Sequence, residues 1–189
     1  MPDPWDPPGF PTQGDLDQDT TYCGVGHVLS QWEAVEIQFA RIYSILAGKP
    51  YELEPIKEYG EPGIFRERAT RLERRFESYR VRRSAQALEG DFRVLFRRTL
   101  GWSGRRNDVA HGIVEQAQKL ARYRNLYERE GKIRYVLIPS YYMHRKRDAS
   151  YRPTYCYSSQ ELHDFAAQIF ELSTGLEEFQ AAHFPDAGD

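Results

Sequence analysis

From Tyr22 to Ala47 the apolar residues Val25, Val28, Leu29, Trp32, Val35, Phe39, Ile42, Tyr43 and Leu46 recur three and four positions apart. An α-helix puts residues at that spacing on one face, whereas a strand needs strict alternation. The chain must therefore cover one side of a long helix, and Gly48, Lys49 and Pro50 end that helix. The same spacing supplies the cover. After a connector over 48–60, a second helix is expected from Glu61 and Pro62 through Phe65, Ala69, Leu72, Phe76 and Tyr79. A third runs through Ala85, Leu88, Phe92, Leu95, Phe96 and Leu100, until Gly101, Ser103 and Gly104 interrupt it. Helical spacing resumes weakly over 113–130 (Ile113, Ala117, Leu120, Tyr127). The last helix opens on a capping box, Ser158-Ser159-Gln160-Glu161, and presents Leu162, Phe165, Ala166, Ile169, Phe170, Leu172, Leu176 and Phe179.

One segment breaks the helical pattern. Ile133 to Tyr142 is β-branched and aromatic and reads as a strand, with a second short one at Thr154 to Tyr157 beyond a basic loop. The expected fold is mainly all-α: an antiparallel four- to five-helix bundle, with one β-hairpin at about 133–157 inserted before the last helix. A single domain is expected over 22–184, flanked by a flexible acidic, Pro-rich tail at 1–21 and a short tail at 185–189. Within the first tail, Asp15, Asp17 and Asp19 have the spacing that opens a calcium loop. Thr20 stands where that loop needs Gly and Gly26 where it needs Glu, which excludes it.

Composition narrows the class. Aromatics are 14% of the 189 residues, too many for a disordered chain. No apolar run approaches the ~20 residues that span a bilayer, and the acidic start is the opposite of a signal peptide, so no membrane partner is expected. Cys23 and Cys156 have no metal-ligand spacing and fit a reduced, cytoplasmic protein. No metal or cofactor motif is present.

Net charge is only −2, but it is distributed in blocks. Residues 1–40 carry seven acids and no Lys or Arg, residues 65–106 thirteen Arg against five acids, and the stretch from Ser158 seven acids and no Lys or Arg. Such blocks make either a basic face for an anionic ligand or acidic and basic helices packed together.

The chemistry concentrates in Arg105-Arg106-Asn107-Asp108-Val109-Ala110-His111-Gly112. Arg106 and His111, five apart, project near each other on a helix, a permanent cation beside a group that titrates near neutral pH. Ser103, Asn107 or Asp108 could cap a new helix there. Cleavage of a phosphodiester needs a proton shuttle and a fixed positive charge for the developing oxyanion. His27, His144, His163 and His183 have no Arg four to six residues ahead of them. The plainer alternative is structural: a helix cap, an ion pair and a histidine at a turn.

Arg106-Asn107 followed by Ala110-His111-Gly112, after apolar helices and before a last amphipathic one, resembles the HEPN superfamily (higher eukaryotes and prokaryotes nucleotide-binding). The likeness in helix order covers about 22–184, and motif identity covers 106–112. It implies a metal-independent endoribonuclease, of the kind found in bacterial toxin–antitoxin and defence systems. Arg106 would hold the scissile phosphate, His111 would act as general base or acid for attack by a ribose 2′-hydroxyl, and Asn107 would orient them. One motif His per chain leaves the second proton-transfer role unfilled, so the resemblance implies a homodimer that brings two motifs into one cleft. RNA and an antitoxin or other protein are the implied partners. Some toxins of the family carry Tyr two residues after the His; Ile113 stands there in this chain. Either RNA contacts come from Arg105, Tyr142, Arg145, Lys146 and Arg147, with Tyr141, Tyr151, Tyr155 and Tyr157 as stacking surfaces, or the hairpin is an ordinary aromatic strand pair packing on the bundle, the commoner case. Two other outcomes stay open: a non-catalytic module of the same fold that binds RNA, a nucleotide or a protein, and a structural dimer whose Arg-rich helices pair with the acidic first and last ones.

Overall fold

In a computed structural model, five α-helices and one two-stranded antiparallel sheet make up the regular structure of the described residues, 3–83, 87–120, 130–139 and 154–185. In chain order these are α1 (Gln18–Leu46), α2 (Leu53–Gly60), α3 (Phe65–Arg83), α4 (Ala87–Ala110), β1 (Ile113–Gln116), a 3-10 turn (Ala117–Lys119), β2 (Tyr135–Ile138) and α5 (Ser159–His183). The mainly α-helical class with a small sheet before the last helix is as expected. No helix among the described residues is long and apolar enough to cross a membrane. The chain gathers into two units, each described by itself: Met1–Gln31 with Gly104–Gln168, and Trp32–Ser103 with Ile169–Asp189.

The second unit is a helical core. Trp32, Val35, Phe39, Ile42, Tyr43 and Leu46 of α1 are buried with Leu72 and Phe76 of α3, Phe92 and Phe96 of α4, and Ile169, Leu172 and Leu176 of α5. Each large side chain so removed from water contributes about 1.5–3 kcal/mol. Phe76 and Phe92 stack with ring centroids 3.8 Å apart, and Phe92 continues the stack to Phe96 at 5.4 Å. Inside this apolar setting sits one carboxylate, Glu36. It takes a forked pair of bonds from Arg68 (3.1 and 2.6 Å), one from the Trp32 indole (3.2 Å) and one from the Tyr59 hydroxyl (3.0 Å). Burial and the Glu36 charge push the Tyr59 phenol well above its usual range.

α2 lies in the stretch expected to be a connector. Tyr59 and Pro55 are buried there, and Pro55 sits in the first turn, where its missing N–H costs nothing. The Arg-rich helices largely pair with acids, but mainly with those of α2, α3 and α4. Arg71 meets Glu61 just past α2, Arg75 meets Glu58, Arg80 meets Glu77 and Glu89, and Arg93 meets Glu73 and Glu77, while Arg68 reaches Glu36 of α1.

The first unit holds the sheet. β1 and β2 pair in the register Ile113↔Ile138, Val114↔Leu137, Glu115↔Val136 and Gln116↔Tyr135. The helix expected over 113–130 is thus corrected at its start. Ile113 and Val114, β-branched and just past a glycine, find strand partners that outweigh a weak helical period. The hairpin expected between 133–142 and 154–157 is also rearranged, since Tyr157 reaches β2 by a single bridge to Leu137. Ala117, Val136, Ile138 and Cys156 form the core under the sheet, with Phe10 and Leu120 packed against it.

The segment expected to be a free tail takes part in this unit. Asp15 and Tyr135 exchange both backbone hydrogen bonds at 2.8 Å. The Asp15 carboxylate also accepts from Thr21 Oγ1 (2.7 Å), the Ser159 backbone N–H (2.9 Å) and Ser159 Oγ (2.6 Å). Gly14 lies so close to β2 that a Cβ would fall 2.3 Å from the Tyr135 carbonyl oxygen. Asp17 caps α1 by accepting the Asp19 N–H at 3.1 Å, and Glu161 closes the expected capping box by accepting the Ser158 N–H at 2.8 Å. Aspartates at calcium-loop spacing therefore serve a strand, a cap and a helix start.

Candidate functional site at the end of helix α4

α4 does not break at Gly101, Ser103 and Gly104; it runs unbroken to Ala110. Each glycine costs a helix about 1 kcal/mol, and burial of Trp102 and Val109 offsets that. The Arg106–His111 segment is therefore the last turn of a long helix and the residue after it, not the start of a new one. The backbone ends there because Gly112 must pass close to neighbours: a Cβ on it would lie 2.8 Å from the Asp108 carbonyl oxygen and 2.9 Å from Leu137 Cδ1.

Helical phase sorts the segment into two faces. Arg105, Asp108 and Val109 turn inward. Arg105 Nη1 lies 2.8 Å from Asp108 Oδ2, and its guanidinium stands over the Tyr155 ring at 5.2 Å. The Tyr155 hydroxyl donates to the same Asp108 oxygen at 2.8 Å and the Tyr157 hydroxyl at 3.4 Å. Burial first, then the bond to Asp108, pushes the Tyr155 phenol up to about 12, and burial pushes Tyr157 well above its usual range. Arg105, expected to touch RNA, is thus engaged with an acid and an aromatic ring. Tyr155 and Tyr157, expected as stacking surfaces, are buried. The Asp108 cluster is what residue spacing did not reveal, because Asp108 and the two tyrosines are 47 and 49 positions apart.

Asn107 and His111, four apart, share the outward face and are exposed, with Arg106 half-buried beside them. Arg106 Nη1 donates to Asn107 Oδ1 at 3.2 Å. The His111 N–H bonds the Asn107 carbonyl at 3.1 Å, closing the last turn. This is the negative end of the helix dipole, which disfavours an anion. Any attraction for a phosphate must therefore come from side-chain cations, Arg106 first among them. Of the other imidazoles, His27 and His163 meet edge to face at 5.2 Å and His183 Nε2 lies 2.9 Å from Asp91 Oδ2. Tyr142, Arg145, Lys146 and Arg147, with Tyr141, His144 and Tyr151, lie outside the described residues.

Comparison with protein-family models, with curated proteins and with solved structures finds no match for this chain.

Proposed function

We propose that this protein is a metal-independent endoribonuclease of HEPN type, acting as a homodimer in a bacterial toxin or defence system. The observation that carries the reading is the outward face of the α4 terminus: an exposed imidazole and an exposed amide, with a guanidinium bonded to that amide at 3.2 Å. Asn107 fixes the direction of Arg106, so the cation is held in place before a phosphate arrives. His111 takes the proton from a ribose 2′-hydroxyl, which attacks the adjacent phosphorus. The leaving 5′-oxygen is then protonated, and a 2′,3′-cyclic phosphate remains. In the dimer, the second chain's His111 serves as that acid.

The test is cleavage of RNA in EDTA by the purified chain, followed through its cyclic-phosphate ends. Activity that vanishes in Arg106→Ala and in His111→Ala, with the helical circular dichroism spectrum unchanged, is the expected result. Activity that needs a divalent ion and is equal in all three proteins would refute the reading. A second reading, a binding module of the same fold without turnover, rests on the engagement of Arg105 by Asp108, which takes the neighbouring guanidinium out of reach of a phosphate. It expects RNA binding without products.

A further inference from the structure

The second unit carries a groove along α3, lined by Tyr43, Ile64, Arg66, Arg71, Arg74 and Arg75 among others. Four guanidinium groups meet there, and they are of two kinds. Arg71 bonds the Glu58 carbonyl and Glu61 Oε2 (2.8 Å). Arg75 bonds the Tyr43 hydroxyl (2.9 Å) and Glu58 Oε1 (3.4 Å), with its guanidinium 5.0 Å from the Tyr43 ring centre. These two are held in fixed positions, yet each has five N–H donors and has not spent them all. Arg66 and Arg74 are exposed and have no carboxylate partner among the described residues.

Arg66 and Arg74 are eight apart, which on a helix sets them on neighbouring lines about 12 Å apart along the axis. Thr70 and Ser78 lie between and beyond, with their hydroxyls turned back to the carbonyls of Arg66 and Arg74, so the guanidinium groups alone are left as donors. One phosphate cannot bridge that span; an extended chain of phosphates can. Glu67, Glu58 and Glu61 offset part of the charge, which disfavours a compact anion resting on the middle of the groove. Ile64, 57% exposed, gives an apolar wall where a base can lie.

We propose that this groove is a track for the phosphate backbone of single-stranded RNA, with Arg66 and Arg74 as its two free phosphate contacts. The proposal rests on the reading of the protein as an RNA-acting one, and adds a binding site separate in sequence from Arg106 and His111. Within the groove, acids engage Arg71 and Arg75 but not these two.

The experiment is fluorescence anisotropy of a labelled 2′-O-methyl oligouridine, which cannot cleave itself, titrated with the full chain at several salt concentrations. Arg66→Glu with Arg74→Glu should weaken binding at least about tenfold and lower the slope of log affinity against log salt by roughly 1.4, two contacts' worth. Arg66→Ala with Arg74→Ala should give the same direction at smaller size, and circular dichroism should match the parent for both. Unchanged affinity and slope in the charge-reversed protein would overturn the groove while leaving nuclease activity to stand or fall on its own assay. Displacement of the oligonucleotide by poly-glutamate at equal charge would overturn it as well, in favour of an acidic protein segment. Binding that depends on Arg66 and Arg74 in a chain that never cleaves RNA would uphold the groove and remove the nuclease.

Discussion

Tyr155 donates its hydroxyl hydrogen to Asp108 Oδ2 at 2.8 Å, and Arg105 meets the same oxygen at the same distance. That contact divides the basic motif. Arg105 and Asp108 hold the α4 terminus against the segment before α5, while Asn107 and His111 face outward with Arg106 half-buried beside them. If the proposed nuclease reading holds, catalysis and stability fall on different faces of one helical turn, so single substitutions should separate them.

On the outward face, His111→Ala and Arg106→Ala should each lower RNA cleavage by about 10²–10⁴-fold. Asn107→Ala, which only frees Arg106 to wander, should cost less, about tenfold. Rates from initial velocities give this order, and melting temperatures should stay close to that of the parent for His111→Ala and Asn107→Ala.

On the inward face, Asp108→Ala should leave Arg105 without its acid and the Tyr155 hydroxyl without its acceptor. The expected loss is about 2–4 kcal/mol, larger than for any outward substitution. Urea unfolding followed by tyrosine fluorescence measures it. A loss no greater than that of His111→Ala would contradict the division of faces.

The same contact gives a pH dependence. The Tyr155 phenol is raised to about 12 from an ordinary value of 10.0. The folded protein therefore holds that proton while the unfolded chain releases it. Stability from this group is complete below about pH 10 and falls as pH rises towards 12, by about 1–2 kcal/mol. Unfolding free energies of the parent and Tyr155→Phe should converge in slope below pH 10 and diverge above it.

Glu36→Ala should be among the most damaging changes in the second unit, because it strands Arg68 and leaves the Trp32 and Tyr59 donors unmatched. A loss of about 3–5 kcal/mol is expected. Arg68→Ala together with Glu36→Ala should cost less than the sum of the two singles, which a double-mutant cycle reads directly.

Gly112→Ala should destabilise by about 1–3 kcal/mol, since the added methyl meets a backbone carbonyl and a buried leucine at under 3 Å. Gly104→Ala, where nothing lies within 4 Å, should be neutral or stabilising. Thermal melts of the two variants give the comparison.

Periodicity made most of the helices legible, because Trp32, Phe39, Phe76 and Ile169 fall where one buried face requires them. It failed where local preference and tertiary pairing disagree. Ile113 and Val114 have a helical phase with Ala117, yet their branched side chains take strand partners supplied by residues over twenty positions away. α2 was hidden by its shortness and its two flanking turns. The break expected at Gly101 and Gly104 does not occur, because the price in backbone entropy is met by Trp102 nearby. In the candidate site, the residue types and their spacing were plain from the sequence. Which of two adjacent arginines pairs with Asp108 was not, because that depends on where Asp108 and Tyr155 come together.

β2 is short, and one of its sides is already taken by β1. Its remaining side is closed at two points, by Asp15 and by Tyr157. An open strand margin invites pairing with a neighbouring molecule. The segment ahead of α1 thus covers one of those two points: clipped away, it would leave Tyr135 with an unmet backbone donor and acceptor on a margin where another strand could add.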